Sequence, residues 1–175
     1  MGRGHNTQDM QPFNKHGVSW SGRSLTIHEV QRLAESLYAG RVDKVGLPEI
    51  RHLRAVADAV PVYARVVAWL HDAVEDGLTS YGELERLGIC ASDLEALRLL
   101  DRRQAKGTYM DYIRRIACAP GLAGTVARCV KRADNIDNQT RLCTEDMEAM
   151  RYPGGRYDRA LHIIERAMRE RGELI

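Results

Sequence analysis

The segment Trp69-Leu70-His71-Asp72-Ala73-Val74-Glu75-Asp76-Gly77 passes abruptly from apolar to ionisable side chains. His71 with Glu75, and Asp72 with Asp76, are i, i+4 pairs that would stack along one stripe of a helix. The imidazole and first carboxylate could hold a metal ion, with Glu75 and Asp76 acting beside it. An acidic pair at the end of a helix opposes the dipole there, so function or a nearby cation is needed to account for it. Two further helical stretches add His52 and, within Lys131-Arg132-Ala133-Asp134-Asn135-Ile136-Asp137-Asn138, Asp134. The resulting set, His52, His71, Asp72 and Asp134, suits one borderline divalent cation per chain, Mn, Fe, Co or Zn, with positions left for water and substrate. A closed structural zinc site is disfavoured, because thiolates at finger-like spacing are missing. Such an ion would lower the pKa of its water toward neutrality and polarise a phosphoryl oxygen. Lys44, Arg51 and the Arg102, Arg103, Lys106 run are candidates to neutralise phosphate charge.

Taken singly, each residue also has an ordinary reading. His52 fits a half-buried histidine between Arg51 and Leu53, and Asp134 could pair with Lys131 or Arg132. Tyr109 and Tyr112, three apart, read first as core packing. His5, His16, His28 and His162 share no recognisable spacing.

Positioning such a set requires helices, and the apolar periodicity from residue 25 onward is helical. Thr26 with Glu29 reads as a capping box opening a helix that carries Val30, Leu33, Leu37 and Tyr38 and ends near Gly40. After a 40–47 loop, Pro48 and Pro61 each suit a first helical turn, giving helices of about 48–59 and 61–76, the second stopped by Gly77. Ser80 with Glu83 and Ser92 with Glu95 read as capping boxes of two short helices. Gly107 interrupts before a Thr108-led helix through Ala117, and Pro120 starts a longer one carrying Val126, Val130, Ala133 and Ile136. Pro153, Gly154 and Gly155 separate that helix and a short successor from a closing amphipathic helix, Arg156 to Arg171. The expected fold is a compact all-α bundle over 25–175, preceded by a flexible arm at 1–24 without periodic apolar positions.

Composition agrees with one ordinary globular domain. The chain has 175 residues, 44% hydrophobic and 29% charged, enough for a single core. No apolar run reaches membrane-spanning length, and the amino terminus carries no signal-like stretch. Cys90, Cys118, Cys129 and Cys143 form no CxxC pair, which suits reduced thiols in a cytoplasmic protein. A net charge of +2 lacks the basic signature of a nucleic-acid binder. The expected partner is a small-molecule nucleotide, with neither nucleic acid nor membrane, and self-association is open.

The order His52, His71-Asp72, Asp134 resembles that of the HD superfamily of metal-dependent phosphohydrolases. More narrowly, the chain resembles the hydrolase domain of RelA/SpoT alarmone enzymes and their small stand-alone relatives. Their pattern AGxxxKxGxPxIxH, LHDxxED and KxADxxxN is matched by Ala39-Gly40 through Lys44, Gly46, Pro48, Ile50 and His52, by Leu70 to Asp76, and by Lys131 to Asn138. The resemblance covers roughly residues 25–170. It implies the four residues above as ligands, commonly of manganese, Glu75 and Asp76 handling the attacking water, and Asn138 near the nucleotide. It also implies a (p)ppGpp 3′-pyrophosphohydrolase; Arg41, Lys44 and Arg51, from their charge, are further candidate substrate contacts. Other HD enzymes, deoxynucleoside triphosphohydrolases and 5′-nucleotidases, share the ligands, and a non-catalytic nucleotide-binding module is a third class. Two positions depart from the alarmone pattern: Asp43 replaces a basic residue and Glu49 a tyrosine. These acids would alter selectivity or repel a polyphosphate unless Arg41, Lys44 or Arg51 offsets them.

Overall fold

In a computed structural model, which describes residues 24–43, 46–145 and 155–174, the chain is all-α. The expected arm apart from Ser24, Lys44, and the segment of the short helix after residue 145 lie outside the described residues. Eight helices occur among those described: α1 Ile27–Leu37, α2 Ile50–Asp58, α3 Arg65–Leu70, α4 Tyr81–Arg86, α5 Ala91–Leu100, α6 Tyr109–Cys118, α7 Gly121–Glu145 and α8 Gly155–Glu170. Two 3-10 turns, Val62–Ala64 and Arg102–Gln104, precede α3 and α6. No described helix is long and apolar enough to cross a membrane.

The capping chemistry is where the sequence places it for α1 and α6. Thr26 and Glu29, and Thr108 and Asp111, form reciprocal boxes that satisfy the first free amides. Ser80 caps α4 by accepting from Glu83 N, while the Glu83 carboxylate accepts from Thr79 Oγ1 instead of closing the box. Ser92 does not cap α5: that helix starts earlier, with extended Cys90 as its cap residue, and Ser92 lies already inside the first turn. Pro48 and Pro61 stand just outside their helices. Pro48 pairs with Val42 in an isolated antiparallel bridge, and Pro61 precedes the 3-10 turn.

The larger correction concerns the expected helix 61–76. It is a 3-10 turn, a six-residue α3, and a run of turns from His71 to Gly77. Beyond Leu70 the bonding tightens, with Ala73 N donating to Leu70 O. The run closes with Gly77 N donating to Val74 O and Leu78 N to Ala73 O, a Schellman arrangement that needs the positive φ of 72° at Gly77. Glu75 and Asp76 therefore lie beyond the end of α3, in its closing turns, where Glu75 accepts from Arg102 N and Asp76 accepts from Tyr38 Oη with Arg41 Nη2 3.9 Å away.

α7 is the axis of the bundle, packing against α2, α3, α5, α6 and α8. Its core-facing Val126, Ala127, Val130 and Ala133 join one apolar cluster with Leu53 and Val56 of α2, Val67 and Leu70 of α3, Leu97 of α5, Ile113 of α6 and Ile164 of α8. Its entry is fixed by Arg128, 1% exposed, whose Nη1 donates to Ala119 O at 2.6 Å and whose Nε donates to Glu173 at 2.8 Å. Ile136 is 37% exposed, so the apolar face of α7 ends at Ala133 and polar residues follow.

Gly124, in the first turn of α7, has no room for a side chain, because a Cβ would stand 2.2 Å from Ala119 O. Gly124→Ala is expected to lower the unfolding free energy by about 2–3 kcal/mol. An unchanged urea midpoint with an unchanged slope would contradict this packing.

Candidate metal centre

α2, the turn after α3, and α7 deliver His52, His71 and Asp134 to one buried point. One ligand atom from each lies within 4.8 Å of the others. His52 Nε2 is 3.3 Å from Asp134 Oδ1, and His71 Nε2 is 4.0 Å from the same oxygen. Asp72, the fourth expected ligand, stands beside this group and not within it: its Oδ2 lies 3.2 Å from His71 Nε2 and 3.9 Å from His52 Nε2. Its side chain is 41% exposed, whereas that of Asp134 is only 5% exposed. The site thus has a buried floor and one open side.

Both imidazoles are oriented by their other nitrogen. His71 Nδ1 lies 2.8 Å from Ala68 O. A carbonyl can only accept, so Nδ1 carries the proton and Nε2 presents its lone pair in neutral histidine. That Nε2 is buried and has no hydrogen-bond partner, the state of an atom whose natural partner is a cation. His52 Nδ1 lies 2.6 Å from Asp137 Oδ2, the carboxylate–imidazole pairing that typically supports metal-binding histidines. The donor set and the orphaned Nε2 fit a divalent transition metal.

Asp134 is held by Lys131 Nζ at 2.6 Å from Oδ2 and by Asn138 Nδ2 at 2.5 Å from Oδ1. Burial pushes its pKa up, but Lys131 and the imidazoles outweigh this and hold it well below the usual carboxylate range. The Lys131 ammonium is correspondingly pushed up against its burial, chiefly by Asp134, and lies over the rings of Tyr112 and Tyr109 at 5.3 and 6.0 Å. For His52, burial lowers the pKa, and hydrogen bonding to Asp134 and Asp137 raises it further than burial lowers it, to about 9.

His71, Asp72 and Asp134 line a cleft with about 190 Å³ of free space, walled also by Glu75, Arg102, Tyr109, Tyr112, Asn138 and Arg156, while His52 does not line it. Glu75 accepts from Arg102 N at 2.8 Å. Its pKa is raised, first by burial and then by the charges of Asp72 and Asp101 against the Arg102 amide. Asp76, the other expected catalytic carboxylate, does not line the cleft. It accepts from Tyr38 Oη at 3.1 Å and lies 3.9 Å from Arg41 Nη2, and burial followed by Asp72 raises its pKa.

Of the expected substrate contacts, Asn138 lines the cleft. Arg41 does not, and donates to Glu49 at 2.7 Å. Arg51 is exposed on α2 and also absent from the lining, because it is one residue, about 100° of helix, away from His52. Lys44 lies outside the described residues. From the Arg102, Arg103, Lys106 run only Arg102 reaches the lining, whereas Arg103 binds Asp101 and Val74 O. Lys131 and Arg156 are cleft cations that the sequence reading did not assign, and Asp137 is an unassigned support. Asp137 could have been found from its place one turn from Asp134. Arg156, stacked 3.9 Å over Tyr109, carried no local signal.

Neither a scan of protein-family models nor a search of curated proteins returned a match for this chain.

His52 gives the metal-free protein a distinctive alkaline response. Its folded pKa of about 9 lies above its ordinary 6.5, so the stabilisation is complete below pH 6.5 and is lost as pH rises through 9. In chelator, Tm is expected to fall between pH 6.5 and 9.5, and His52→Gln is expected to flatten that fall. A wild-type Tm that is level across this interval contradicts the assignment.

Proposed function

We propose that the chain is a metal-dependent phosphohydrolase of the HD type that acts on a phosphorylated nucleotide. The observation that carries this reading is the buried convergence of His52, His71 and Asp134, with Asp72 at their open side, at a cleft that also holds Glu75 and three cations. His52, His71, Asp72 and Asp134 would hold one divalent ion, with manganese the choice the resemblance implies. Such an ion, when bound, supplies Lewis-acid polarisation and acidifies water.

The chain's own residues supply the rest. Glu75, half-buried and with a raised pKa, suits a group that accepts a proton from attacking water and returns it to the leaving oxygen. Asp76 acts by holding Tyr38 and Arg41 beside it. Arg102, Lys131 and Arg156 equal in number the lining acids Asp72, Glu75 and Asp134, so a bound divalent cation tips the cleft positive, as an anionic phosphoryl group requires. Free space of about 190 Å³ falls short of the roughly 300–1,000 Å³ of pockets that enclose a whole ligand. The phosphoryl end therefore enters, and sugar and base lie at the rim.

Among nucleotides, a purine nucleotide with a 3′ pyrophosphate is the reading favoured by the 39–52 and 70–76 motifs. The two acids that count against a polyphosphate are both neutralised: Glu49 by Arg41 and Asp43 by Arg141, at 2.7 and 3.1 Å. Arg41 is one of the three cations expected to do this; Arg141 is not. In this reading water attacks the 3′ phosphorus and pyrophosphate leaves.

Two measurements test the reading. Asp72→Ala should lose both metal and turnover, whereas Glu75→Gln should keep the metal and lose rate by on the order of a hundredfold or more; a metal-free Glu75→Gln protein would make Glu75 a ligand and not a proton carrier. With manganese, guanosine tetraphosphate should give GDP and pyrophosphate with kcat/KM of about 10⁴ M⁻¹s⁻¹ or above, and deoxynucleoside triphosphates should be poor substrates. The reverse ranking moves the protein to the triphosphohydrolase class, and no turnover of any nucleotide, with metal bound, to a binding module.

A further inference from the structure

Arg141, one turn beyond Asn138 on α7, joins three groups. Its Nη1 donates to Asp43 Oδ2 at 3.1 Å and its Nη2 donates to Asn138 Oδ1 at 2.5 Å, while its Nε lies 2.8 Å from Asp137 Oδ2 in an ion pair without a well-directed hydrogen bond. Two of these groups support metal-centre residues directly. Asp137 holds His52 Nδ1 and Asn138 holds Asp134 Oδ1. The third, Asp43, belongs to the loop that leads into α2 and so to His52.

Asp43 ties the two described ends of that loop together. Its Oδ1 accepts from Leu47 N at 2.9 Å, its backbone N donates to Leu47 O at 2.8 Å, and Glu49 N donates to Arg41 O at 3.1 Å beside the Val42–Pro48 bridge. With a side chain only 16% exposed, Asp43 faces α7 and not solvent. A planar guanidinium presents its donors in a fixed fork, so it can hydrogen-bond Asp43 and Asn138 with its two ends while its charge faces Asp137.

We propose that Arg141 and Asp43 are positioning residues for the metal centre. Through their shared contact, Asp43 and the Arg141 guanidinium set the orientation of the supports of His52 and Asp134, and so the affinity of the site for its ion. This rests on the metal-centre reading above. Asp43 on this account is a tether within the protein, and the position is unavailable for contact with a substrate base.

The test is manganese titration of the full chain by calorimetry, with the Tm of the chelator-treated protein as a folding control. Arg141→Gln should weaken manganese binding about tenfold or more, the range for residues that support metal ligands. Asp43→Asn, which keeps the loop's size and removes the charge, should weaken it about threefold or more, and the double variant should bind no more weakly than Arg141→Gln alone, since both act through one contact. Variants that bind manganese like the wild type, or whose losses multiply in the double variant, overturn the proposal. Should Arg141→Gln fail to fold, Asp43→Asn decides alone. A wild-type chain that binds no manganese removes the metal centre itself, whereas wild-type binding with indifferent variants removes only the tether.

Discussion

A buried carboxylate shared among four groups governs this molecule. Asp134 is 4% exposed, and an ionised carboxylate at such a depth costs several kcal/mol unless its oxygens are well paired. Lys131 and Asn138 meet that demand from the same helix, at i−3 and i+4. Two imidazoles close the remaining side from α2 and the turn after α3. This explains why the apolar face of α7 gives way to polar residues after Ala133, and why α2 and α3 must both pack on α7. Only that arrangement brings His52 and His71 to the carboxylate. Lys131 is in turn buried by Tyr112, whose Oη is itself committed to Leu100 O at 2.6 Å, so α5 and α6 are tied to the same charge.

The fold is divided around this point. Toward the solvent, Asp72, Glu75, Arg102 and Arg156 line a cleft with both signs of charge. Beside the imidazole and carboxylate, Asp137, Asn138 and Arg141 form a polar group that holds them in place, with Asn138 also reaching the cleft. The cationic and imidazole groups beside Asp134 and Asp137 hold those acids low despite their burial, while the half-buried Glu75 and Asp76 are raised, first by burial and then by the like charge of Asp72.

How much of this was legible in the sequence depended on whether the determining interaction was local. Caps such as Thr26 with Glu29 are set within one turn, and they read correctly. The His71–Gly77 run did not, because its apolar lead-in has helical periodicity while the tightening at Ala73 and the Schellman closure at Gly77 belong to backbone geometry that periodicity does not record. His52, His71 and Asp134 converge as their types and order led one to expect, with Asp72 next to them. The partners of Asp43 and Glu49 were half legible. Arg41 is close in the chain, but Arg141 is brought to Asp43 by the packing of α7, and no local pattern announces it. Arg156 arrives from α8 for the same reason.

The two histidines are already aimed by Ala68 O and Asp137, and a continuous apolar cluster runs through the bundle without help from the centre. A chain built this way assembles its donor set as it folds, and any ion enters a finished site. Nitrogen and oxygen donors of this kind rank divalent metals in a fixed order, with copper and zinc above iron and manganese. Which ion such a site would take up is then set by the free concentrations of competing metals in the compartment where the chain folds, as much as by the preference of its donors.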